Sequence, residues 1–145
     1  MLLGQFEGKI GEKHQAALPK KFREVLGEKL IITKGFENCL IIVSEENWQT
    51  LLEGTEGRPF TSKDTRELQR FLLGNATDVA LDTKGRFVIP EYLRKFAGLE
   101  ADIIFAGIQR FVEIWNKSKW DLHQKELEKN ASYIGERLTA KSDDK

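Results

Sequence analysis

The sequence predicts a mainly β protein with short helices, an α+β fold built from two copies of one unit. Three observations lead to this prediction. Short runs of alternating apolar and polar residues indicate strands, as in residues 77–81. A helix-like stretch that begins at proline and ends at glycine follows each turn. The whole series then occurs twice along the chain.

The two copies match at a nearly constant spacing. The offset is 71 residues from Pro19 to Pro90, and one inserted residue after Gly98 makes it 72 from Trp48 to Trp120. Two copies are too few for a solenoid, so we expect a pseudo-two-fold pair that completes one core. The other matched pairs are Lys13 with Lys84, Arg23 with Arg94, Gly27 with Gly98, Ile31 with Ile103, Ile32 with Ile104, Gly35 with Gly107 and Ile42 with Ile114.

The second copy begins with a predicted hairpin. Asp82 and Gly85 occupy the first and fourth positions of its turn, which is typical of a type I turn followed by a left-handed glycine. A strand begins at Arg86, and the remaining elements are a helix at 90–98, strands at 102–106 and 111–115, and a helix capped by Asn116.

The first copy repeats this order with an altered turn. Its predicted elements are strands at 5–10 and 16–18, a helix at 19–26, strands at 30–34 and 39–43, and a helix capped by Ser44. Residues 54–60 are predicted as a loop, before a helix that Thr61 or Ser62 caps and Gly74 ends. We therefore divide the chain into repeat 1 (5–48), a connecting loop and helix (49–75), repeat 2 (76–119) and a C-terminal helix and tail (120–145), with 139–145 expected to be disordered.

Composition limits the function classes. The chain has 145 residues and no net charge, so bulk basicity does not mark it as a nucleic-acid binder. The repeated segments 5–27 and 76–98 are nevertheless its basic parts, with a small excess of Lys and Arg over Asp and Glu. With one cysteine and no apolar run of membrane length, we expect a cytoplasmic protein without disulfides.

The turn of the second copy is the strongest candidate for a binding site. Lys84 at its tip and Arg86 just beyond it would present two cations on a rigid support. The planar fork of arginine suits guanine or phosphate, and lysine suits phosphate. Asp82 would either cap its own turn or hold Arg86 in one rotamer. The alternative is an ordinary exposed turn with solvated charges, and the recurrence of this turn before a proline in both copies disfavours it.

The chain resembles the MraZ family. The residues that carry the resemblance are Leu-Gly-Gln-Phe at 3–6, Leu-Pro-Lys-Lys-Phe-Arg at 18–23, Asp-Thr-Lys-Gly-Arg at 82–86, and Pro90, Leu93 and Arg94. The resemblance implies two SpoVT-AbrB-type halves that form a swapped-hairpin barrel within one chain, and a ring-shaped homo-oligomer. It also implies a transcriptional regulator that binds promoter repeats of the division and cell-wall gene cluster, its own gene included, at the nucleoid.

The family's DNA-contacting loop reads Asp-x-x-x-Arg, with Lys and Gly between. The first copy has Gly11 and Gln15 in place of the aspartate and arginine, and His14 where a positive φ is expected. An arginine contact to a base is worth roughly 1–3 kcal/mol of discrimination, and Gln15 could still pair with adenine. The resemblance thus implies DNA contacts from Lys13, Gln15, Lys84 and Arg86, with Lys9 and His14 as further candidates, and turns shaped by Gly11, Asp82 and Gly85.

Other functions have weaker support. His14 and His123 are far apart without cysteine or carboxylate spacing, so no metal site is predicted. Cys39 lies in an apolar strand and reads as a buried hydrophobe, and Trp48 and Trp120 read as core or subunit-interface residues. We predict no catalytic residue, no cofactor and no membrane partner. The alternative function is an oligomeric protein-binding scaffold with weakened DNA binding, which the neutral charge and the altered first turn favour.

Overall fold

The computed structural model describes residues 1–53 and 57–143, and within these ranges the chain forms eight strands and five α-helices. Their bounds are β1 (Leu2–Lys9), β2 (Gln15–Ala17), α1 (Lys20–Leu26), β3 (Leu30–Lys34), β4 (Leu40–Ser44), α2 (Trp48–Leu52), α3 (Lys63–Leu72), β5 (Thr77–Val79), β6 (Arg86–Val88), α4 (Glu91–Ala97), β7 (Asp102–Gln109), β8 (Phe111–Asn116) and α5 (Lys117–Asp143). The predicted α+β fold class, mainly β with short helices, is confirmed, although helix α5 is 27 residues long.

Within the described residues, six strands form one antiparallel sheet in the order β1-β7-β8-β4-β3-β5, and β2 and β6 form a separate ladder. The first strand of each repeat pairs with a strand of the other repeat, β1 with β7 and β5 with β3. Replacing each strand by its equivalent in the other repeat gives the same strand order, read from the opposite edge of the sheet. No ladder joins the edge strands β1 and β5 in the described part of the chain, so the sheet does not close into a barrel there.

Two ladders relate the repeats by a pseudo-two-fold axis. Ala16 of β2 lies opposite Phe87 of β6, and Ile41 of β4 lies opposite Glu113 of β8. The members of each pair occupy equivalent positions of the two repeats, by the offsets of 71 and 72 residues found in the sequence. The axis that exchanges the repeats therefore passes through both pairs.

One apolar core fills the space between the sheet, the β2–β6 ladder and helices α1 and α4. Phe22, Phe87, Leu93 and Phe105 are completely or almost completely buried there. Phe6 packs edge-on against Phe22, with ring centroids 5.0 Å apart. Both repeats contribute to this core, so neither repeat buries its apolar residues alone.

A smaller cluster on the second face of the sheet is covered by the start of α5. Trp120, predicted to be a core or subunit-interface residue, is buried and donates from Nε1 to Gln5 Oε1 at 2.8 Å. His123 stacks on Trp115 and is half-buried. Burial raises the pKa of the Cys39 thiol, and this cysteine is a buried hydrophobe, as predicted.

The predicted helix caps differ in outcome. Ser62 and Asn116 cap α3 and α5 as predicted, since each side-chain oxygen accepts the backbone N–H three residues further along. Ser44 accepts the backbone N–H of Asn47 in the turn before α2, and does not cap the helix directly. Helix α2 begins at Trp48.

Other boundaries also depart from the prediction, since β1 begins at Leu2 and not at residue 5, and β7 ends at Gln109 and not at residue 106. Pro19 and Pro90 immediately precede α1 and α4 and do not belong to the first turn. Helix α5 continues to Asp143, although composition predicted disorder for residues 139–145, because extending an existing helix needs no new nucleus. Residues 144–145 lie outside the described residues. The predicted loop at 54–60 falls partly on residues 54–56, which lie outside the described residues. In the described residues, none of the helices has the length and apolar character needed to cross a bilayer.

Candidate nucleic-acid interface

The turn between β5 and β6 is held together by Asp82. Its Oδ1 accepts the backbone N–H of Lys84 at 2.9 Å and of Arg86 at 2.8 Å, and its Oδ2 accepts Arg86 Nε at 2.7 Å. The backbone N–H of Gly85 donates to the Asp82 carbonyl at 3.0 Å and closes the predicted turn. Asp82 therefore caps the turn and also holds Arg86, the two alternatives that the sequence left open.

The outer end of the Arg86 side chain is available for a ligand. The ion pair with Asp82 uses Nε, and the two terminal nitrogens have no hydrogen-bond partner among the described residues. About half of the Arg86 side chain is exposed. Two parallel N–H groups are what a guanine edge or a phosphate binds in a bidentate contact. Asp82 thus orients an arginine whose binding end stays open.

Gly85 is buried against Arg23, a residue of α1 in the other repeat. Its φ is +77°, and a Cβ at this position would lie 2.5 Å from Arg23 Cδ. The left-handed backbone conformation favours glycine here, and any side chain at this position would displace the end of the Arg23 side chain. Within the described residues, Arg23 Nε has no hydrogen-bond acceptor. The turn of repeat 2 thus packs against Arg23, a residue of helix α1 in repeat 1.

The turn of repeat 1 has a different conformation. Gly11 has no carboxylate to accept backbone N–H groups, and Glu12–His14 form a short 3-10 turn. His14 has the predicted positive φ, 59°, but Lys13 also has a positive φ, 62°, which the sequence did not predict. The backbone N–H of Gly11 still donates to the Gln15 carbonyl at 2.9 Å, so this hairpin closes without its family aspartate.

The β2–β6 ladder joins the two turns into one surface. Ala16 and Phe87 point into the core, so the neighbouring side chains on each strand point outward. Because the strands are antiparallel, the two turns lie at opposite ends of the ladder. We call this the ladder face, and it is formed by the outward residues Gln15, Ala17, Arg86 and Val88.

The other predicted contact residues lie around this face. Lys13 and Lys84 are exposed in the two turns, and neither side chain has an ion-pair partner in the parts of the chain that the structure describes. Lys9 lies apart at the end of β1, where its Nζ is 3.9 Å from Asp102 Oδ1. In residues 1–53 and 57–140, the His, Cys, Asp and Glu side chains form no group suited to a metal ion.

Two residues at the interface were not singled out as contacts from the sequence. Arg23 supports Gly85 across the repeats, and its match to Arg94 in the other copy was a signal that the position matters. Val88 points outward two residues after Arg86, and strand alternation alone would have placed it on the same face.

Asp82 should titrate below its ordinary pKa of about 3.8. The backbone N–H of Arg86, and after it the Arg86 side chain, donate to this carboxylate and lower its pKa. In Arg86→Ala the backbone donor remains, so the pKa should rise only part of the way. In the wild type, the stability that the Asp82 carboxylate contributes through these hydrogen bonds is present above the pKa of Asp82 in the unfolded chain. It is lost as pH falls through the lower pKa of Asp82 in the folded protein. A carboxyl NMR titration measures the pKa of Asp82 in the wild type and in Arg86→Ala. A wild-type pKa of 3.8 or more would contradict this geometry.

Fold and site together define a class: a two-repeat β protein that presents one hairpin turn from each repeat at the ends of a shared ladder, with Lys13, Lys84 and Arg86 exposed. The family model described as "MraZ protein, putative antitoxin-like" matches the chain twice, at residues 1–71 and 72–141. The chain belongs to the MraZ family, as its motifs predicted.

Curated relatives agree with this assignment over nearly the whole chain. The proteins named "Transcriptional regulator MraZ" from Caldanaerobacter subterraneus subsp. tengcongensis and Acetivibrio thermocellus are each 41% identical to it over 138 residues, which are 95% of this chain and 96% of the relative. The protein of the same name from Roseiflexus castenholzii is 38% identical over the same shares. The similarity is therefore not confined to one repeat.

Proposed function

We propose that this protein is a DNA-binding transcriptional regulator and not an enzyme. It binds double-stranded promoter repeats of the division and cell-wall gene cluster, including those of its own gene, in the cytoplasm at the nucleoid and without a cofactor. The observation that carries the proposal is Arg86, whose Nε is held by Asp82 while its terminal nitrogens remain open on an exposed turn. The name that its curated relatives carry supports the regulatory role.

We infer that residues 5–48 and 76–119 act as two SpoVT-AbrB-type halves of a swapped-hairpin unit. The pairing of β1 with β7 and of β5 with β3 supports this inference, because each repeat lends its first strand to the other. Residues 49–75 connect the halves, and residues 120–145 extend the second. The exchange holds both turns on one body, and a two-stranded ribbon of this kind fits the major groove of DNA.

The residues of the two turns contact different parts of the DNA. Arg86 contacts guanine through its terminal nitrogens, and Gln15 contacts adenine. Lys13 and Lys84 contact phosphates as point charges, with Lys9 and His14 at the margin. Gly11, Asp82 and Gly85 shape the turns. Phosphate contacts supply most of the affinity, and base contacts supply the selectivity.

A ring of identical chains completes the proposal. The net charge is zero, so bulk attraction to DNA contributes little, and the first turn lacks the family arginine. Several modest contacts on one ring, each facing a promoter repeat, bind with an avidity that a single chain lacks, provided the DNA reaches all of them. The repeats of the operator would then match the turns of successive subunits.

Fluorescence anisotropy with the DNA upstream of this protein's own gene tests the function. We expect selective binding whose log affinity falls linearly with log salt concentration, because each phosphate contact releases a counterion. A duplex of the same length and base composition with shuffled sequence is the control. Sedimentation velocity on the same sample measures the mass of the assembly.

The rival function is a protein-binding scaffold of the same fold. Gly11 and Gln15, which remove the aspartate and arginine of the first turn, favour it. Absent or salt-insensitive DNA binding by an assembled ring would support the scaffold and reject the regulator.

A further inference from the structure

The ladder face pairs each outward polar residue with an outward apolar residue of the other repeat. Arg86 lies directly opposite Ala17, and Gln15 lies directly opposite Val88. Side chains in such positions have Cβ atoms about 4.5–5.5 Å apart, close enough to touch one ligand together. The ladder face therefore contains two composite patches, each made from both repeats.

The Gln15–Val88 patch leaves apolar surface open to solvent. Val88 is 55% exposed, while its strand neighbours Phe87 and Ile89 are buried. Gln15 beside it is half-buried and uncharged. An exposed valine next to an amide offers an apolar contact and a paired donor and acceptor within one patch.

These side chains match the major-groove edges of two different base pairs. An A·T pair presents the N6 and N7 atoms of adenine, which suit a glutamine amide, and the thymine methyl group, which suits an apolar side chain. A G·C pair presents O6 and N7 of guanine, which suit arginine, and it carries no methyl group. Arg86 has its two terminal nitrogens available for the second case, and Ala17 beside it is small.

Building on the DNA-binding function proposed above, we propose that the ladder face reads two base pairs. Val88 packs on a thymine methyl in the A·T pair that Gln15 contacts, and Arg86 beside Ala17 reads a G·C pair. The two patches lie two residues apart along the ladder, a rise of roughly 7 Å. Consecutive bases on one strand are about 3.4 Å apart, so the two base pairs lie two steps apart.

Thymine methyl groups can be removed from the DNA without changing its Watson–Crick pairing. The test compares the fragment upstream of this protein's own gene, amplified with thymidine or with deoxyuridine triphosphate, in anisotropy titrations at one salt concentration. Wild-type protein should bind the uracil fragment at least about fourfold more weakly, the ratio that corresponds to ~0.8 kcal/mol for one buried methyl-sized group. Val88→Ala should bind both fragments alike, with the affinity of the wild type for uracil DNA.

Val25→Ala is the matched control, since Val25 is 52% exposed on α1 and lies outside the ladder face. It should keep the full wild-type preference for thymine. If Val88→Ala also kept that preference, or if the wild type showed none while binding the thymine fragment selectively, the thymine subsite would be rejected and the DNA-binding function would stand. If the wild type did not bind the thymine fragment selectively and in a salt-sensitive way, the DNA-binding function itself would be rejected.

Discussion

Replacing Arg86 with alanine should weaken selective DNA binding roughly ten- to a hundredfold, which is the range for loss of one good bidentate base contact. The expected loss is large because Asp82 holds the arginine in place before DNA arrives, so little side-chain entropy is lost on binding. Anisotropy titration against the upstream DNA at fixed salt measures it, with the shuffled duplex reporting any loss of nonspecific binding.

Gln15→Ala is the matched variant, because Gln15 occupies the equivalent position of repeat 1. Its effect should be smaller, since the first turn lacks the carboxylate that orients a side chain in the second. Equal and negligible losses from both substitutions would remove the second turn from the binding site.

Phe87→Ala should lower the free energy of unfolding by roughly 3–5 kcal/mol, the usual cost of deleting a buried phenyl ring. Phe87 is 2% exposed and lies on the pseudo-two-fold axis opposite Ala16, whose methyl group is too small to fill the space. Chemical denaturation at one fixed protein concentration measures the loss, because assembly would make stability depend on concentration.

Val88→Ala is the control one residue further along the same strand. It should change the free energy of unfolding by no more than about 0.5 kcal/mol, because the side chain points to solvent. A loss below about 1 kcal/mol for Phe87→Ala would mean that the ladder is not packed on the core as described.

The second turn was predictable because its interactions are local. Asp82 bonds to residues two and four positions away, so residue types at fixed spacing are enough to specify the turn. Alternation along β6 is also local, and it places Phe87 on the opposite face from Arg86 and Val88. In the first turn the same reasoning reached His14 but not Lys13, because the sequence does not show how a backbone relaxes once its carboxylate anchor is absent.

Residue patterns alone did not predict the exchange of strands between the repeats, which only the family resemblance implied. Alternating residues specify which face of a strand is buried, but they do not name the partner strand. The pairing of β1 with β7 and the contact of Gly85 with Arg23 join residues far apart in the chain. The end of α5 was also missed, because helix extension depends on the preceding turns more than on local composition.

The pseudo-two-fold ladder separates what the protein recognises from what keeps it folded. The inward side chains of Ala16 and Phe87 must fit each other in the core. The outward side chains of Gln15 and Arg86 do not pack in the core. One copy can therefore change its outward residues while the fold is retained. A duplicated chain of this kind can evolve an asymmetric binding preference, which a dimer of two identical copies cannot do.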